Sequence, residues 1–248
     1  MLKAAYLNEL EKLCCRKKYL VFLILDLLAV VGWTLMQVLA DILAQKVMTV
    51  PITVSSLHTL GYAPYMTVFI PFIALLACAD LFSGEYHDMS IRMVLQRPVE
   101  RYQIFLAKVT AVFTVCVAFI LAHYLFLLVM KLLFGRTVAG AGLSLLMYFC
   151  DCFPVFVVVL FFAFLHQPVK SPASAVALSV VSFAALLLVG KYVGIAGGMI
   201  FTEYLTWHSL WIGKHIPFLV MLPKIGILAS TGAVFYCGGY ELFRRKGI

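Results

Sequence analysis

The stretch that decides the fold class of this chain is IFLAKVTAVFTVCVAFILAHYLFLLVMKLL, residues 104–133. Between Lys108 and Lys131 it contains no Asp, Glu, Lys or Arg, and about 20 apolar residues suffice for a helix to cross a bilayer. The 248-residue chain shares this character, with 64% hydrophobic and 12% charged residues, whereas soluble domains have roughly 45–50% and 25%. The composition therefore predicts an all-α integral membrane protein and excludes a soluble enzyme and a nucleic-acid-binding protein.

Similar apolar runs recur along the whole chain and predict one transmembrane domain over residues 19–248. The predicted crossings are 19–43, 62–82, 104–133, 143–166, 173–192 and 217–240. Residues 194–216 mix Trp207 and Trp211 with polar side chains, which is typical of the membrane interface. We therefore expect a re-entrant or surface-lying element before the sixth crossing.

The first 18 residues predict an amphipathic helix rather than a crossing. Leu2, Tyr6, Leu10 and Leu13 recur on one helical face, and basic side chains fall mostly elsewhere, which is typical of a helix in the headgroup layer. Most Lys and Arg beside the predicted crossings lie on the side of the N-terminus, and the net charge is +8. Since basic residues are retained on the cytoplasmic side, we expect both termini to be cytoplasmic.

Three ionisable residues within predicted crossings are candidates for a path or for intramembrane polar contacts: Asp26, His123 and Asp151. Such groups are costly in a bilayer and usually have a role or a partner. His123 and Asp151 lie at similar predicted depths in helices joined by a short turn, so we expect them to pair. For Asp26 the alternatives are a functional role, either contact with a cationic substrate or a gating hydrogen bond, and a structural role as the partner of Lys17, of Lys18 or of a polar group on a neighbouring helix.

Motifs for catalysis and for cofactor binding are absent from the sequence. There is no G-x-x-x-x-G-K-[ST], H-E-x-x-H or G-x-S-x-G pattern. The seven cysteines show neither a disulfide framework nor metal-ligand spacing. We therefore expect no catalytic residue, no metal site and no cofactor bound by this chain.

The longest charged segment between crossings is residues 83–103. Asp88 and Arg92 form an i,i+4 pair, Met89 and Met93 share a face, and Pro98 ends a helix or begins the next. These features predict a short amphipathic helix on the cytoplasmic surface.

This segment resembles the first cytoplasmic loop of ABC-2-type permeases, the membrane subunits of ABC exporters. Its landmarks occur in the family's order at Glu85, Pro98, Arg101 and Lys108. It departs from the family where Met89 and Ser90 replace a Gly-Thr step. Residues 8–13, followed by the basic residues 16–18, are similar to the family's N-terminal elbow helix.

The resemblance implies a permease subunit of an ATP-driven exporter in a bacterial plasma membrane, working by alternating access. Its partners would be two copies of an ABC ATPase, which bind ATP and Mg, and a second permease copy, identical or different. The segment at about 85–97 would be the coupling helix that contacts the ATPase. The implied contact residues are Glu85, Asp88, Met89, Arg92, Met93, Arg97 and Arg101.

The resemblance also implies that the second and fifth crossings line the transport path at the dimer axis. Small residues at Ala175, Ser179 and Ser182 share one side of the fifth crossing and would allow close helix approach. Ordinary packing within the chain is the alternative explanation for these three residues.

The expected substrates are amphipathic or cationic peptides, or hydrophobic compounds. Two other functions remain open from the sequence. One is a proton-coupled secondary transporter that uses Asp26, His123 and Asp151. The other is an immunity membrane protein that binds peptide without transporting it.

Overall fold

The computed structural model describes residues 2–47, 61–89, 100–134, 140–169, 171–193, 198–211 and 218–245. Within these ranges all regular structure is helical and there are no strands. Six helices are long and apolar enough to cross a membrane. This confirms the predicted all-α membrane architecture.

The helices are named here in chain order. They are α1 (Leu2–Cys14), α2 (Lys17–Val47), α3 (Tyr62–His87), α4 (Arg101–Leu133), α5 (Ala141–Leu165), α6 (Pro172–Tyr192), the short α7 (His208–Trp211) and α8 (Phe218–Arg245). A 3₁₀ turn, Phe201–Tyr204, lies between α6 and α7. The six long helices are α2, α3, α4, α5, α6 and α8.

The centre of the fold is α3, in which 72% of the apolar stretch is buried, whereas the corresponding values for α2, α6 and α8 are 22%, 22% and 17%. Two segments of α3, Tyr65–Phe69 and Ala79–Gly84, are π-helical. Pro71 follows the first of them. Proline favours such a widened helical turn because it lacks an N–H and because its ring crowds the carbonyl four residues earlier in the chain.

The other helices pack on α3 or on its neighbours. Helices α4 and α5 pack on it directly, α1 lies along α4, α8 lies along α5, and α6 contacts the π-helical segment Ala79–Gly84. Helices α2, α6 and α8 present large exposed apolar side chains such as Leu28, Val181 and Leu219. In water such surfaces would be unfavourable, so they suit contact with lipid or with another membrane subunit.

The amphipathic α1 buries most of the predicted apolar face against the helix bundle, although Leu2 is exposed. Leu13 is fully buried, Tyr6 and Leu10 are partly buried, and the Tyr6 hydroxyl lies 2.9 Å from Thr114 Oγ1 on α4. The helix is therefore attached to the bundle by both apolar and polar contacts.

The element before the last crossing consists of short helical pieces packed on α5. Trp207 is buried, with its ring 6.4 Å from that of Phe153 and 5.5 Å from that of Tyr204. Residues 194–197 and 212–216, which also belong to this predicted element, lie outside the described residues.

The start of the predicted coupling segment differs from the expectation. Glu85–His87 forms the last turn of α3 rather than the first turn of a separate helix. Two residues after the end of α3, Met89 has a left-handed φ of 55°, a conformation that glycine adopts most easily. At position 89 the backbone thus has a conformation that suits glycine, although the residue is methionine.

Candidate functional site

A cluster of two lysines and two glutamates joins α1, α3 and α4. Lys108, whose exposed fraction is 0%, donates from Nζ to Glu9 Oε2 at 2.9 Å, to Glu85 Oε2 at 2.6 Å and to the Leu81 carbonyl at 3.1 Å. Lys12 Nζ donates to Glu9 Oε1 at 2.6 Å and to Glu85 Oε1 at 2.7 Å. Each lysine therefore bridges both carboxylates, and the Lys–Glu cluster is a closed ring of alternating charges.

The charges of the Lys–Glu cluster balance, which is what makes its burial tolerable. Burial by itself would raise the pKa of Glu9, but the Lys108 charge and hydrogen bonds from both lysines lower it below its ordinary value. Burial would likewise lower the pKa of Lys12, but hydrogen bonds to Glu85 and Glu9 raise it. The charged forms of both groups are thus favoured in the folded protein.

A second acidic residue in the same part of α3, Asp80, holds the junction between α1 and α2. Its carboxylate accepts hydrogen bonds from Arg16 Nη1 at 2.8 Å and the Tyr19 hydroxyl at 2.7 Å, and lies 2.6 Å from Lys18 Nζ. Sequence reasoning missed Asp80, although an acidic residue near the end of an apolar run was the available signal. Lys18, one of the partners considered for Asp26, pairs with Asp80 instead.

The residues predicted to contact an ATPase differ in accessibility. Glu85 is buried in the Lys–Glu cluster, whereas Asp88 and Met89 are exposed, with His87 Nδ1 3.1 Å from Asp88 Oδ1. Arg101 is exposed and donates to the Arg244 carbonyl at 2.7 Å, which ties the start of α4 to the end of α8. The remaining three, Arg92, Met93 and Arg97, lie outside the described residues.

Asp26 on α2 pairs with His123 on α4. The distance from Asp26 Oδ1 to His123 Nδ1 is 2.7 Å, and both side chains are buried. The Tyr65 ring stacks on the imidazole at a centroid distance of 3.7 Å, and its hydroxyl donates to the Phe119 carbonyl at 2.9 Å. The expected pairing of His123 with Asp151 is wrong, because the imidazole faces α2.

Asp151 on α5 has different partners. It is fully buried and accepts hydrogen bonds from the Tyr62 hydroxyl at 2.7 Å and from the His208 backbone N–H at 2.6 Å. His208 Nδ1 also lies 2.7 Å from Asp151 Oδ2. Asp151 thus joins the start of α3 and the short α7 to α5. His208, which sequence reasoning missed, is the third member of this site.

Tyr148 lies between the two aspartate sites. Its ring is 4.6 Å from the Tyr62 ring, 5.3 Å from the Tyr124 ring and 6.3 Å from the His123 ring, measured between centroids. Asp26 and Asp151 are therefore separated by an aromatic layer, and each has its own histidine.

Comparison with known proteins covers the sites described above. The family described as ABC-2 family transporter protein matches residues 5–210, which include the Lys–Glu cluster and both aspartate sites. The chain belongs to the ABC-2 transporter family. The match covers most of the chain.

One relative of this ABC-2 protein is an uncharacterized membrane protein, YdbK, of Bacillus subtilis (strain 168). The two are 31% identical over 88 residues, which cover 35% of this chain and 36% of the relative. The match thus spans about a third of each protein.

The small residues predicted on the fifth crossing of the ABC-2 protein lie on a face used within the chain. Ala175 and Ser179 are fully buried. Ser179 Oγ lies 3.1 Å from His166 Nε2, and the Ser182 hydroxyl donates to the Ser179 carbonyl at 3.2 Å. These contacts favour the alternative explanation, which is that the three residues pack within the chain.

A metal site would need several ligands close together. Across the part of the chain that the structure describes, no group of three or more His, Cys, Asp or Glu side chains could hold a metal ion.

Proposed function

We propose that this ABC-2 protein is the permease subunit of an ATP-driven exporter in a bacterial plasma membrane, with both termini cytoplasmic. It moves amphipathic or cationic peptides, or hydrophobic compounds, out of the cell by alternating access. It works with two ABC ATPase subunits, which bind ATP and Mg, and with a second permease copy, identical or different.

The observation that carries this proposal is the Lys–Glu cluster and its position in the chain. Glu85 belongs to the cluster and also lies in the last turn of α3, directly before the segment proposed to contact the ATPase. Lys108 and Glu9 connect the same turn to α4 and α1. A push on this turn would therefore move three helices together.

Helix α3 provides a route from this turn to the other side of the membrane. It runs from His87 to Tyr62, 26 residues, or roughly 39 Å at 1.5 Å per residue. Its far end is bonded to Asp151 through the Tyr62 hydroxyl. Movement at the ATPase would thus reach Asp151 and α7 through one continuous helix.

The coupling proposal divides the predicted contact residues by accessibility. Asp88, Met89 and Arg101 are exposed and contact the ATPase directly, together with Arg92, Met93 and Arg97. Glu85 acts as a positioning residue, because its carboxylate is bonded to Lys12 and Lys108 inside the protein.

Affinity purification from the native membrane in mild detergent tests this proposal. We expect a P-loop ATPase to co-purify in stoichiometric amount with the wild-type chain. The variant Asp88→Lys with Arg101→Glu should lose it, because two exposed charges of the contact surface are reversed. Glu11→Lys is the matched control, since Glu11 is an exposed acid on α1 outside the segment, and it should retain the ATPase.

If no ATPase co-purifies in any of several detergents, the exporter proposal is wrong. The rival function is then a proton-coupled secondary transporter, favoured by the buried Asp26–His123 pair. In proteoliposomes such a transporter would work without ATP and would stop when the proton gradient is collapsed.

A further inference from the structure

A cavity of about 400 Å³ lies between α2 and α3, beside the Asp26–His123 pair. Its walls are aliphatic and aromatic apart from Asp26 and His123, and its aromatic side chains are Trp33, Tyr65, Phe69 and Phe72. Small-molecule sites in proteins typically measure about 300–1,000 Å³ and combine apolar walls with a few polar groups. The cavity therefore has the size and composition of a site for one small organic molecule.

The carboxylate of Asp26 is only half satisfied. Its Oδ1 is bonded to His123, but among the described residues Oδ2 has no hydrogen-bond partner. The residue is 1% exposed, so water does not readily replace that partner. A buried carboxylate oxygen without a donor is costly, and a positively charged group in the cavity would remove that cost.

The surroundings of Asp26 favour a cation with an aromatic or aliphatic body. Among the described residues that line the cavity, Asp26 is the one carboxylate and there is no lysine or arginine. Trp33, Phe69 and Phe72 line the same space, and aromatic faces attract cations within about 6 Å. Charge and wall chemistry thus select the same class of ligand.

The cavity is accessible from the surface that the membrane covers. Val68 and Trp33, which line it, are 62% and 39% exposed, and α2 is one of the least buried long helices. A lipophilic cation dissolved in the bilayer could enter between α2 and α3 without passing through water.

We propose that this cavity is a binding site for a lipophilic organic monocation of drug-like size. The charged group of the ligand lies beside Asp26, and its apolar body lies against Trp33, Phe69 and Phe72. A whole amphipathic peptide is too large for this volume, so a peptide substrate would place at most one side chain here. Binding at this site does not depend on ATP or on the exporter proposal.

The test uses the full-length protein in phosphatidylcholine nanodiscs and two fluorescent probes. Ethidium is an aromatic cation with a permanent charge, and N-phenyl-1-naphthylamine is a neutral apolar compound. We expect Asp26→Asn to weaken ethidium binding at least tenfold and to change binding of the neutral probe less than twofold. Glu11→Gln, which removes an exposed acid on α1 that does not line the cavity, should change neither by more than twofold.

A second variant keeps the test informative if Asp26→Asn fails to fold, which size-exclusion chromatography would reveal. Ala29 lines the cavity, so Ala29→Phe should fill part of it and weaken both probes at least fivefold. Equal ethidium affinity in wild type and Ala29→Phe would overturn the proposal, as would unchanged ethidium affinity in a folded Asp26→Asn.

A further outcome is that lipid fills the cavity and neither probe binds. If wild type binds neither probe in phosphatidylcholine nanodiscs, the cavity is not an available site for organic cations and the proposal is wrong. ATPase co-purification is unaffected by that result, so failure of the site and failure of the exporter proposal can be told apart.

Discussion

Replacement of Lys108 by methionine should strongly destabilise the protein. Methionine keeps the length of the side chain but removes the ammonium group that bonds Glu9, Glu85 and the Leu81 carbonyl. The Lys–Glu cluster then contains two carboxylates and Lys12 alone, so its net charge changes from zero to −1. The additional negative charge lies at a place where Glu9 and Glu85 are both buried.

The size of the expected loss of unfolding free energy follows from the charge that the substitution leaves without a partner. Removal of one partner from a buried ion pair costs about 3–5 kcal/mol, because the remaining charge has lost its solvation and its counterion. Lys12 still bridges the two carboxylates, at 2.6 Å and 2.7 Å, which places the expected loss of unfolding free energy near the lower limit, about 3 kcal/mol.

A second substitution separates the charge effect from a packing defect. Glu9→Gln in the Lys108→Met background restores neutrality, since Glu85 and Lys12 then form a simple pair. We expect the double variant to be more stable than the sum of the single effects by roughly 0.5–3 kcal/mol. The assay is unfolding in mixed micelles with increasing SDS fraction, followed by tryptophan fluorescence.

The matched control is Glu241→Gln, which removes an exposed acid bonded to Arg244 and Arg245 on α8. It should leave the unfolding curve unchanged, because exposed ion pairs contribute little. The electrostatic explanation of the cluster is refuted if Lys108→Met unfolds like wild type, or if Glu9→Gln adds its own destabilisation to that of Lys108→Met without compensation.

Further predictions concern Tyr62, Met89 and the titration of Glu9 and Lys12, and can be measured with the same unfolding assay or with hydrogen exchange. Tyr62→Phe removes one donor to Asp151 and should cost about 1–3 kcal/mol; an unchanged curve would mean that this bond does not hold α3 to α5. Met89→Gly should stabilise by about 1 kcal/mol, since it relieves a left-handed φ of 55°, and destabilisation would contradict that assignment. Because the folded pKa of Glu9 is lowered, its contribution to stability is present above its ordinary pKa of about 4.5 and is lost as pH falls through the folded value. Amide protection in α1 should therefore decrease in acid below about pH 4.5, and less so in Glu9→Gln, for which equal acid sensitivity would contradict the sign. At the alkaline end the contribution of Lys12, whose pKa is raised, is present below 10.5 and lost as pH rises through the folded value.

Some features of the site could be read from the sequence because they follow from residue type and chain position. Asp26, His123 and Asp151 were identified as buried polar residues because an ionisable group in an apolar run needs a partner. Glu85 and Lys108 were identified as family landmarks, but their mutual bond was not predicted. That bond joins residues on two helices, and no local pattern of spacing encodes it.

The pairing of His123 with Asp151 was predicted incorrectly for a similar reason, whereas a polar partner for Asp26 on a neighbouring helix was among the expected alternatives. His123 and Asp151 have comparable depth, but the rotation of α4 about its axis points the imidazole at α2 and Asp26. Asp151 faces Tyr62 and His208, residues of α3 and of the element before the last crossing. The depth of a residue in the membrane follows from its position along a helix. The direction in which its side chain points depends on how all the neighbouring helices pack.

By itself the sequence determined that this protein is a bundle of six membrane-crossing helices with an amphipathic N-terminal helix. In a bilayer each crossing must satisfy its own backbone hydrogen bonds, so apolar length alone predicts the helices. Only the tertiary structure decided which charges meet: the closed ring of Glu9, Lys12, Glu85 and Lys108, and the half-satisfied Asp26 beside a cavity. Such contacts depend on helix rotation and packing across segments distant in the chain, where side-chain geometry rather than local sequence determines each partner.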